Sequence, residues 1–216
     1  MLNLLYRLSG KLSGQAVAAL LLLAAAASAY SAPKTVLVLG DSLSAEYGLA
    51  RGTGWVALAE QKLRQNNIDA VLVNASVSGE TTSGGRSRLP ALLNKYKPDV
   101  VVVELGANDG LRGLPVAAAQ ANLRAIADTA VKADARVMLI GIRIPPNYGR
   151  DYADKLYAMY GAVSKDVKAP LVPFMLEGVA DKPQLFQPDR LHPLAEAHPT
   201  ILANIWPTLQ KTIKAK

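Results

Sequence analysis

Short apolar runs rich in β-branched residues alternate along most of the chain with longer stretches of helical character. Strands that alternate with helices predict a parallel sheet, because each helix crosses over to bring the next strand back in the same direction. The predicted strands are Thr35–Leu39, Ala70–Asn74, Asp99–Leu105, Arg136–Ile142 and Leu171–Phe174. The predicted helices are Gly54–Gln65, Gly85–Tyr96, Val116–Ala133, Tyr152–Lys168 and Ala195–Ile213. The pattern therefore indicates an α/β fold of three layers, α/β/α, with a flavodoxin-like five-stranded parallel sheet.

The first 29 residues have the layout of a secretory signal peptide. Arg7 and Lys11 are followed by the continuous apolar run Ala16–Ala27. Small residues at Ala27 and Ala29 form a cleavage site, so Tyr30 is the predicted first residue of the mature protein. The alternative is an uncleaved membrane anchor, but the apolar run is shorter than the roughly 20 residues that span a bilayer. We expect a periplasmic or secreted protein with one domain, residues 30–216.

The amino-acid composition argues against several kinds of site and partner. The chain has no cysteine, which excludes disulfides, thiolate metal sites and a lipid-modified cysteine. Lys and Arg number 24 against 17 Asp and Glu, a formal net charge of +7. The basic residues are scattered rather than clustered, so nucleic acid is not expected as a partner. The excess charge either attracts anionic acyl substrates and lipid surfaces or only solvates the surface, and the second interpretation is the simpler.

Three polar or flexible positions follow the first three predicted strands. Ser42 comes directly after the first strand in Gly40-Asp41-Ser42, Gly79 follows the second, and Asn108 follows the third. Ligand sites of open parallel sheets form beyond the carboxyl ends of the strands, so these residues are expected to converge. Alone, Ser42 is also compatible with a helix cap and Gly79 with an ordinary turn. Together, the N–H groups of Ser42 and Gly79 and the Asn108 amide outline an oxyanion hole beside a hydroxyl.

A candidate general base lies near the C-terminus, where Asp189 precedes His192 by three residues. A single turn can point both side chains into one cleft, with the carboxylate holding the imidazole in the tautomer that accepts a serine proton. Taken alone, the pair would also fit half of a metal site, but the sequence has no further histidine or cysteine cluster to complete one. The second histidine, His198, has no carboxylate at that spacing and is predicted to be a surface or capping residue.

These segments, in this order, resemble the SGNH (GDSL) hydrolase superfamily, whose conserved blocks are named for Ser, Gly, Asn and His. The stretches GDSLSAEYG, VNASVSGETT, VELGANDGLRG and IRIPPNYGRDY are similar to its multifunctional bacterial thioesterase–protease–lysophospholipase branch, which includes arylesterases. The resemblance implies a serine hydrolase without metal or cofactor. It also implies that Ser42, His192 and Asp189 form the catalytic triad, and that Ser42, Gly79 and Asn108 form the oxyanion hole. Small-molecule acyl esters and thioesters, including aryl esters, acyl-CoA and lysophospholipids, are the implied substrates.

Two segments are expected to overhang the same cleft. The first contains Leu111 and the second contains Pro146, and their apolar residues suit a fatty acyl chain. We expect them to shape the acyl groove, with the first moving as a lid. Ordinary connecting loops are the alternative. Glu46 departs from the small residue usual at its position in the resembling proteins, and either narrows the acyl pocket or, as we favour, faces solvent. Asp41 is expected to support the turn through backbone hydrogen bonds rather than to serve as the triad acid.

Two rival functions stay open from the sequence. A carbohydrate O-acetyl esterase of the same superfamily would want several aromatic platforms, whereas this chain has two Trp and two Phe. A non-catalytic lipid-binding protein would be expected to lack a catalytic residue, and none is missing. We expect a monomer that makes transient contact with lipid surfaces.

Overall fold

The computed structural model describes residues 32–215. The signal peptide predicted for residues 1–29 lies outside this range and stays a prediction. From Lys34 onward the chain forms one compact unit. Within the described residues, no helix combines the length and the apolar character needed to cross a membrane.

Five parallel strands form a single sheet in the order β2-β1-β3-β4-β5. The strands are β1 Lys34–Gly40, β2 Ala70–Asn74, β3 Val100–Glu104, β4 Arg136–Ile140 and β5 Leu171–Val172. Strands β1 and β3 are neighbours in register, with Gly40 opposite Glu104. The chain leaves β1 toward β2 on one side and returns to β3 on the other, so the strand order reverses at β1. Such a reversal opens a crevice at the carboxyl ends of the two strands.

Six α-helices surround the sheet within the described residues. They are α1 Trp55–Gln65, α2 Thr82–Tyr96, α3 Ala107–Leu111, α4 Val116–Lys132, α5 Arg150–Val167 and α6 His198–Lys214. Short 3-10 helices occur at Pro146–Tyr148, Pro183–Leu185 and Ala195–Ala197. Helices α2, α4 and α5 pack side by side in one layer, and α1 packs with α6 in the other. The predicted three-layer α/β/α fold with a five-stranded parallel sheet is confirmed.

The core lies on both faces of the sheet. All residues of β3 are buried, including four consecutive valines from Val100 to Val103. This is why that strand is continuously apolar in the sequence, since a central parallel strand has no solvent face. Strand β2 is at the edge, and there Val71 is 42% exposed.

Element boundaries differ from the sequence prediction where side chains or proline intervene. Helix α2 begins at Thr82 rather than Gly85, because the Thr81 hydroxyl accepts a hydrogen bond from the Gly84 N–H at 3.2 Å and caps the helix. Strand β5 ends at Val172 rather than Phe174, because Pro173 has no N–H to extend the ladder. The short helix α3 was not predicted at all.

Candidate active site

Ser42 lies in a tight turn just beyond the carboxyl end of β1. The Asp41 carboxylate accepts a hydrogen bond from the Leu43 N–H at 3.0 Å, and the Ser44 N–H donates to the Asp41 carbonyl at 3.2 Å. The expected role of Asp41 in supporting the turn agrees with these bonds. The turn leaves Ser42 half-buried at the wall of a cavity of about 590 Å³.

A loop that follows the 3-10 helix Pro183–Leu185 carries Asp189 and His192. Phe186 and Pro193 form an antiparallel bridge, and the Gln187 N–H donates to the His192 carbonyl at 2.8 Å. Inside this closed loop, Asp189 Oδ1 accepts the Leu191 N–H at 2.9 Å and the His192 N–H at 3.1 Å. The carboxylate is therefore oriented by its own loop before it meets the imidazole.

The three side chains form a continuous line of hydrogen bonds. His192 Nδ1 lies 2.7 Å from Asp189 Oδ2, and His192 Nε2 lies 2.9 Å from Ser42 Oγ. An ionised carboxylate can only accept, so Nδ1 carries the proton and Nε2 is free to accept from the serine hydroxyl. Burial tends to raise the pKa of Asp189, but hydrogen bonds from the His192 ring and from the loop N–H groups outweigh it and lower the pKa. The carboxylate therefore stays ionised at neutral pH.

The ring of Tyr47 contacts the ring of His192, and no local sequence pattern predicted this contact. The two rings lie with their centroids 4.4 Å apart and tilted by 41°. The Gln187 side chain donates to the Tyr47 carbonyl at 2.9 Å, which ties the Ser42 turn to the loop that carries His192. Tyr47 therefore limits the orientations open to the imidazole, although its own ring is 49% exposed.

Two backbone N–H groups in the turns that follow β1 and β2 have no acceptor among the described residues. Within residues 32–215, neither the Ser42 N–H nor the Gly79 N–H donates a hydrogen bond. Gly79 has a φ of 78°, a left-handed conformation that strongly favours glycine, and the Arg112 side chain donates to its carbonyl at 2.8 Å. Peptide N–H groups held in place without a partner are what an oxyanion requires.

Asn108 is brought to the same place by helix α3. Gly106 turns the chain out of β3 with a φ of 117°, and α3 begins at the next residue. The Asn108 amide donates to the Glu80 carbonyl at 3.0 Å and to Asp41 Oδ2 at 3.1 Å. Both amide hydrogens are thus engaged, so a third acceptor would share one of them.

The cavity beside Ser42 has mainly apolar walls. They include Leu43, Leu111, Ile144, Phe174, Leu176 and Phe186. Leu111, at the end of α3, lies in this wall as the sequence predicted. Pro146 begins the 3-10 helix Pro146–Tyr148, directly after the lining residues Ile144 and Pro145. Arg143, Arg150 and Arg190 also line the cavity.

The segment that begins at Leu111 is anchored rather than free. Arg112 bonds to the Gly79 carbonyl, and the Tyr152 hydroxyl donates to the Leu114 carbonyl at 2.6 Å. Movement of this segment as a lid would break both bonds.

The structure corrects the interpretation of Glu46 and decides between the two alternatives for His198. Glu46 neither lines the cavity nor points into solvent; its half-buried carboxylate accepts the N–H groups of Gly52 at 2.9 Å and Gly54 at 2.8 Å, just before α1. His198 is not at the surface. It is 2% exposed, and its Nδ1 accepts the Trp55 N–H at 3.0 Å, so it caps α1 rather than its own helix. Burial lowers the pKa of His198, against a smaller opposing effect of Glu46.

The metal-site alternative for Asp189 and His192 gains no support. Among the described residues, no group of three or more His, Asp or Glu side chains is placed to hold a metal ion. The pair instead meets a serine hydroxyl.

Comparisons with known proteins point to one family of hydrolases. Residues 38–199 match the model of the GDSL-like Lipase/Acylhydrolase family. The chain is 49% identical over 180 residues to Esterase TesA of Pseudomonas aeruginosa, covering 83% of this chain and 90% of that protein. It is 43% identical over 171 residues to Thioesterase 1/protease 1/lysophospholipase L1 of Escherichia coli, covering 79% and 81%. The crystal structure of the psychrotrophic esterase EstA from Pseudoalteromonas sp., inhibited by monoethylphosphonate, superimposes with a TM-score of 0.80 at 43% identity, covering 84% and 100%.

Proposed function

The chain belongs to the GDSL-like lipase/acylhydrolase family, and on that premise we propose that it hydrolyses acyl esters and thioesters through an acyl-enzyme on Ser42. The observation that carries the proposal is the hydrogen-bonded line from Asp189 through His192 to Ser42. Within the described residues, the N–H groups of Ser42 and Gly79 have no acceptor, which supports their role as oxyanion donors. A nucleophile, a base, an orienting acid and oxyanion donors are the parts that acyl transfer needs.

The mechanism follows from the proton positions. His192 Nε2 accepts the hydroxyl proton as Ser42 Oγ attacks the acyl carbonyl, and Asp189 stabilises the imidazolium. The Ser42 N–H, the Gly79 N–H and the Asn108 amide bind the oxyanion. The imidazolium then protonates the leaving thiol or alcohol as its bond to the acyl carbon breaks. Water, deprotonated by His192, attacks the acyl-enzyme, and the returned proton restores the Ser42 hydroxyl as the acid is released.

The cavity supports an acyl chain as the group bound next to the serine. Its walls are mainly apolar, which favours a hydrocarbon over a sugar. Three arginine side chains, Arg143, Arg150 and Arg190, share that cavity and favour substrates with an anionic group. Acyl-CoA and lysophospholipids have both an acyl chain and an anionic group, whereas aryl esters have only the acyl chain.

Leu111 and Pro146 are proposed to set the acyl-chain preference. Leu111 supports this by its place in the cavity wall, and Pro146 by following two wall residues in the chain. Changing each to serine should move the chain-length optimum toward shorter esters. An unchanged profile in both variants would show that these residues are ordinary parts of connecting loops.

Export is proposed from the sequence of residues 1–29 alone. The test is the mass of the protein recovered from the periplasm or medium of an expressing bacterium. A mature chain that starts at Tyr30 supports cleavage after Ala29, whereas a full-length chain held in the membrane fraction contradicts it.

A monomer and transient contact with lipid surfaces are also proposed. Tyr47, Leu114 and Leu191 are large apolar side chains exposed on the loops around the site, and they support the lipid contact. Light scattering tests whether the protein is a monomer. Co-sedimentation with vesicles tests the contact with lipid surfaces, and an absence of binding at low salt would contradict that contact.

The function is tested by turnover of p-nitrophenyl esters and acyl-CoA thioesters of increasing chain length. Wild type should cleave both, Ser42→Ala neither, and the control Ser83→Ala, at an exposed position on α2, should match wild type. Cleavage of acetyl esters alone would favour a carbohydrate O-acetyl esterase. No cleavage at all would favour a lipid-binding protein.

A further inference from the structure

Two carboxyl groups lie buried beneath the serine, and the mechanism above uses neither. Asp41 precedes the nucleophile and Glu104 is the last residue of β3, opposite Gly40 in register. Their exposed fractions are 0% and 1%. The two residues are in direct contact, because the Asp41 N–H donates to Glu104 Oε2.

Hydrogen bonds connect this pair to Asn108, one of the proposed oxyanion donors. Glu104 Oε2 accepts the Ser44 hydroxyl at 2.7 Å and the Asp41 N–H at 3.3 Å. Asp41 in turn accepts the Leu43 N–H through Oδ1 and the Asn108 amide through Oδ2. The Ser44 oxygen also accepts the Trp55 indole N–H at 3.1 Å, which extends this hydrogen-bonded network to α1.

Only one of the two carboxyls can be charged at neutral pH, because adjacent buried carboxylates repel each other. Burial raises the pKa of Asp41 to about 6, while the Leu43 N–H, His192, Glu104 and Asn108 all favour its charged form. Burial and the Asp41 charge both raise the pKa of Glu104 far above its ordinary value. Outside the pair, the His192 charge lowers the pKa of Asp41, while burial and the charges of Glu104, Asp41 and Asp109 raise the pKa of Tyr160.

We propose that Glu104 is a positioning residue for the oxyanion hole, a protonated acid whose O–H binds the Asp41 carboxylate so that Asp41 can hold the Asn108 amide in place. The inference rests on the proposed hydrolase function, since it concerns an oxyanion donor. Glu104 does not touch the substrate and acts through Asp41 and Asn108.

The protonated acid has a second effect on the reaction. Both Asn108 amide hydrogens are engaged, so an oxyanion must share one of them, and one of the two points to Asp41. A bare carboxylate would compete strongly for that hydrogen. The Glu104 O–H bonds to the same carboxylate and draws its charge away from Asn108, which makes the hydrogen available in the transition state.

Glu104→Gln and Glu104→Met form the matched test. The Gln carbonyl can accept from Ser44 and the Asp41 N–H, and its N–H can donate to Asp41, as the protonated acid does. Met has a similar length and no donor. With a p-nitrophenyl ester, Gln should keep kcat within about threefold of wild type, whereas Met should lower kcat about 10- to 100-fold with little change in KM. The acid limb of the Met pH profile should move to higher pH, because Asp41 loses a donor that favours its charged form.

Each outcome decides the proposal. A Gln variant as impaired as Met would mean that Glu104 acts as an anion, and a Met variant with wild-type kcat would mean that it positions nothing. If Met does not fold, a more than tenfold loss of kcat in Gln still overturns the idea. Infrared spectroscopy gives a readout independent of turnover: at pH 8, wild type should show the carbonyl band of a protonated carboxylic acid, and Glu104→Gln should lack it. If wild type hydrolyses no ester, the proposed function fails, while the band still reports on the Glu104 proton.

Discussion

Replacing His198 by alanine is expected to lower the free energy of unfolding by about 2–4 kcal/mol and to leave turnover by the folded enzyme intact. The imidazole accepts the first N–H of α1, that of Trp55, in a fully buried setting. Alanine leaves that N–H unsatisfied, which costs about 1–3 kcal/mol, and adds a small cavity. For a domain of this size the midpoint of thermal unfolding should fall by about 5–15 °C.

His198→Asn is the matched control, because the asparagine Oδ1 can take the place of the imidazole Nδ1 as acceptor. It should retain most of the stability that alanine loses. Thermal and urea unfolding measure both variants, and esterase rates per folded molecule check that the site is intact. A fall of less than about 2 °C in the alanine variant would refute the role assigned to His198.

Wild type and His198→Asn are also expected to differ in how their stability depends on pH. Burial lowers the pKa of His198 in the folded state below the value of 6.5 that applies when the chain unfolds. As pH falls below about 6.5, the unfolded chain binds a proton that the folded chain does not, so stability is lost toward acid. The raised pKa of Asp41, about 6, acts in the opposite direction, but it is present in both proteins and cancels in the difference. Wild type should therefore lose more stability than His198→Asn between pH 7 and 5, and equal slopes would contradict the argument.

Three further predictions concern the site and its surroundings. Asn108→Ala should lower kcat by about 10²–10³ with little change in KM in steady-state assays; a loss below tenfold would remove the amide from the oxyanion hole. Glu46→Ala should lower the free energy of unfolding by about 1–2 kcal/mol in urea titrations, with Glu46→Gln less affected, because the carboxylate accepts the N–H groups of Gly52 and Gly54. The chain-length profile should not change, and a changed profile would place Glu46 at the acyl pocket. Arg190→Gln should lower kcat/KM about two- to fivefold for acyl-CoA but not for a neutral aryl ester of the same acyl chain, with Arg190→Lys as control; equal losses on both would argue against charge recognition.

The sequence was most informative where the fold brings strand ends together. A serine, a glycine and an asparagine after three successive strands were predicted to converge, and the structure places Asn108 in contact with Asp41, beside Ser42, and with Glu80, beside Gly79. The Asp189–His192 spacing was equally predictive, because three residues of loop suffice to bring the two side chains within 2.7 Å.

What the sequence did not reveal depends on contacts between distant segments. Tyr47 and His192 are far apart in the chain, and nothing local to Tyr47 indicates that its ring meets the imidazole. The burial of His198 requires α1 and α6 to pack together, which no local pattern specifies. The local sequence around Glu104 did contain a signal. A carboxylate that ends a run of four buried valines is costly unless it is protonated or paired.

Covalent labelling with a fluorophosphonate, followed by mass spectrometry of the peptides, tests directly whether Ser42 is the nucleophile and His192 its base. Attack by an activated serine hydroxyl displaces fluoride and leaves a phosphonyl group on the attacking oxygen. We expect one adduct, on Ser42, that is absent in Ser42→Ala and forms at least about 100-fold more slowly in His192→Ala, because the base that activates the serine is gone. An esterase-active protein labelled at another residue, or labelled equally fast without His192, would contradict it.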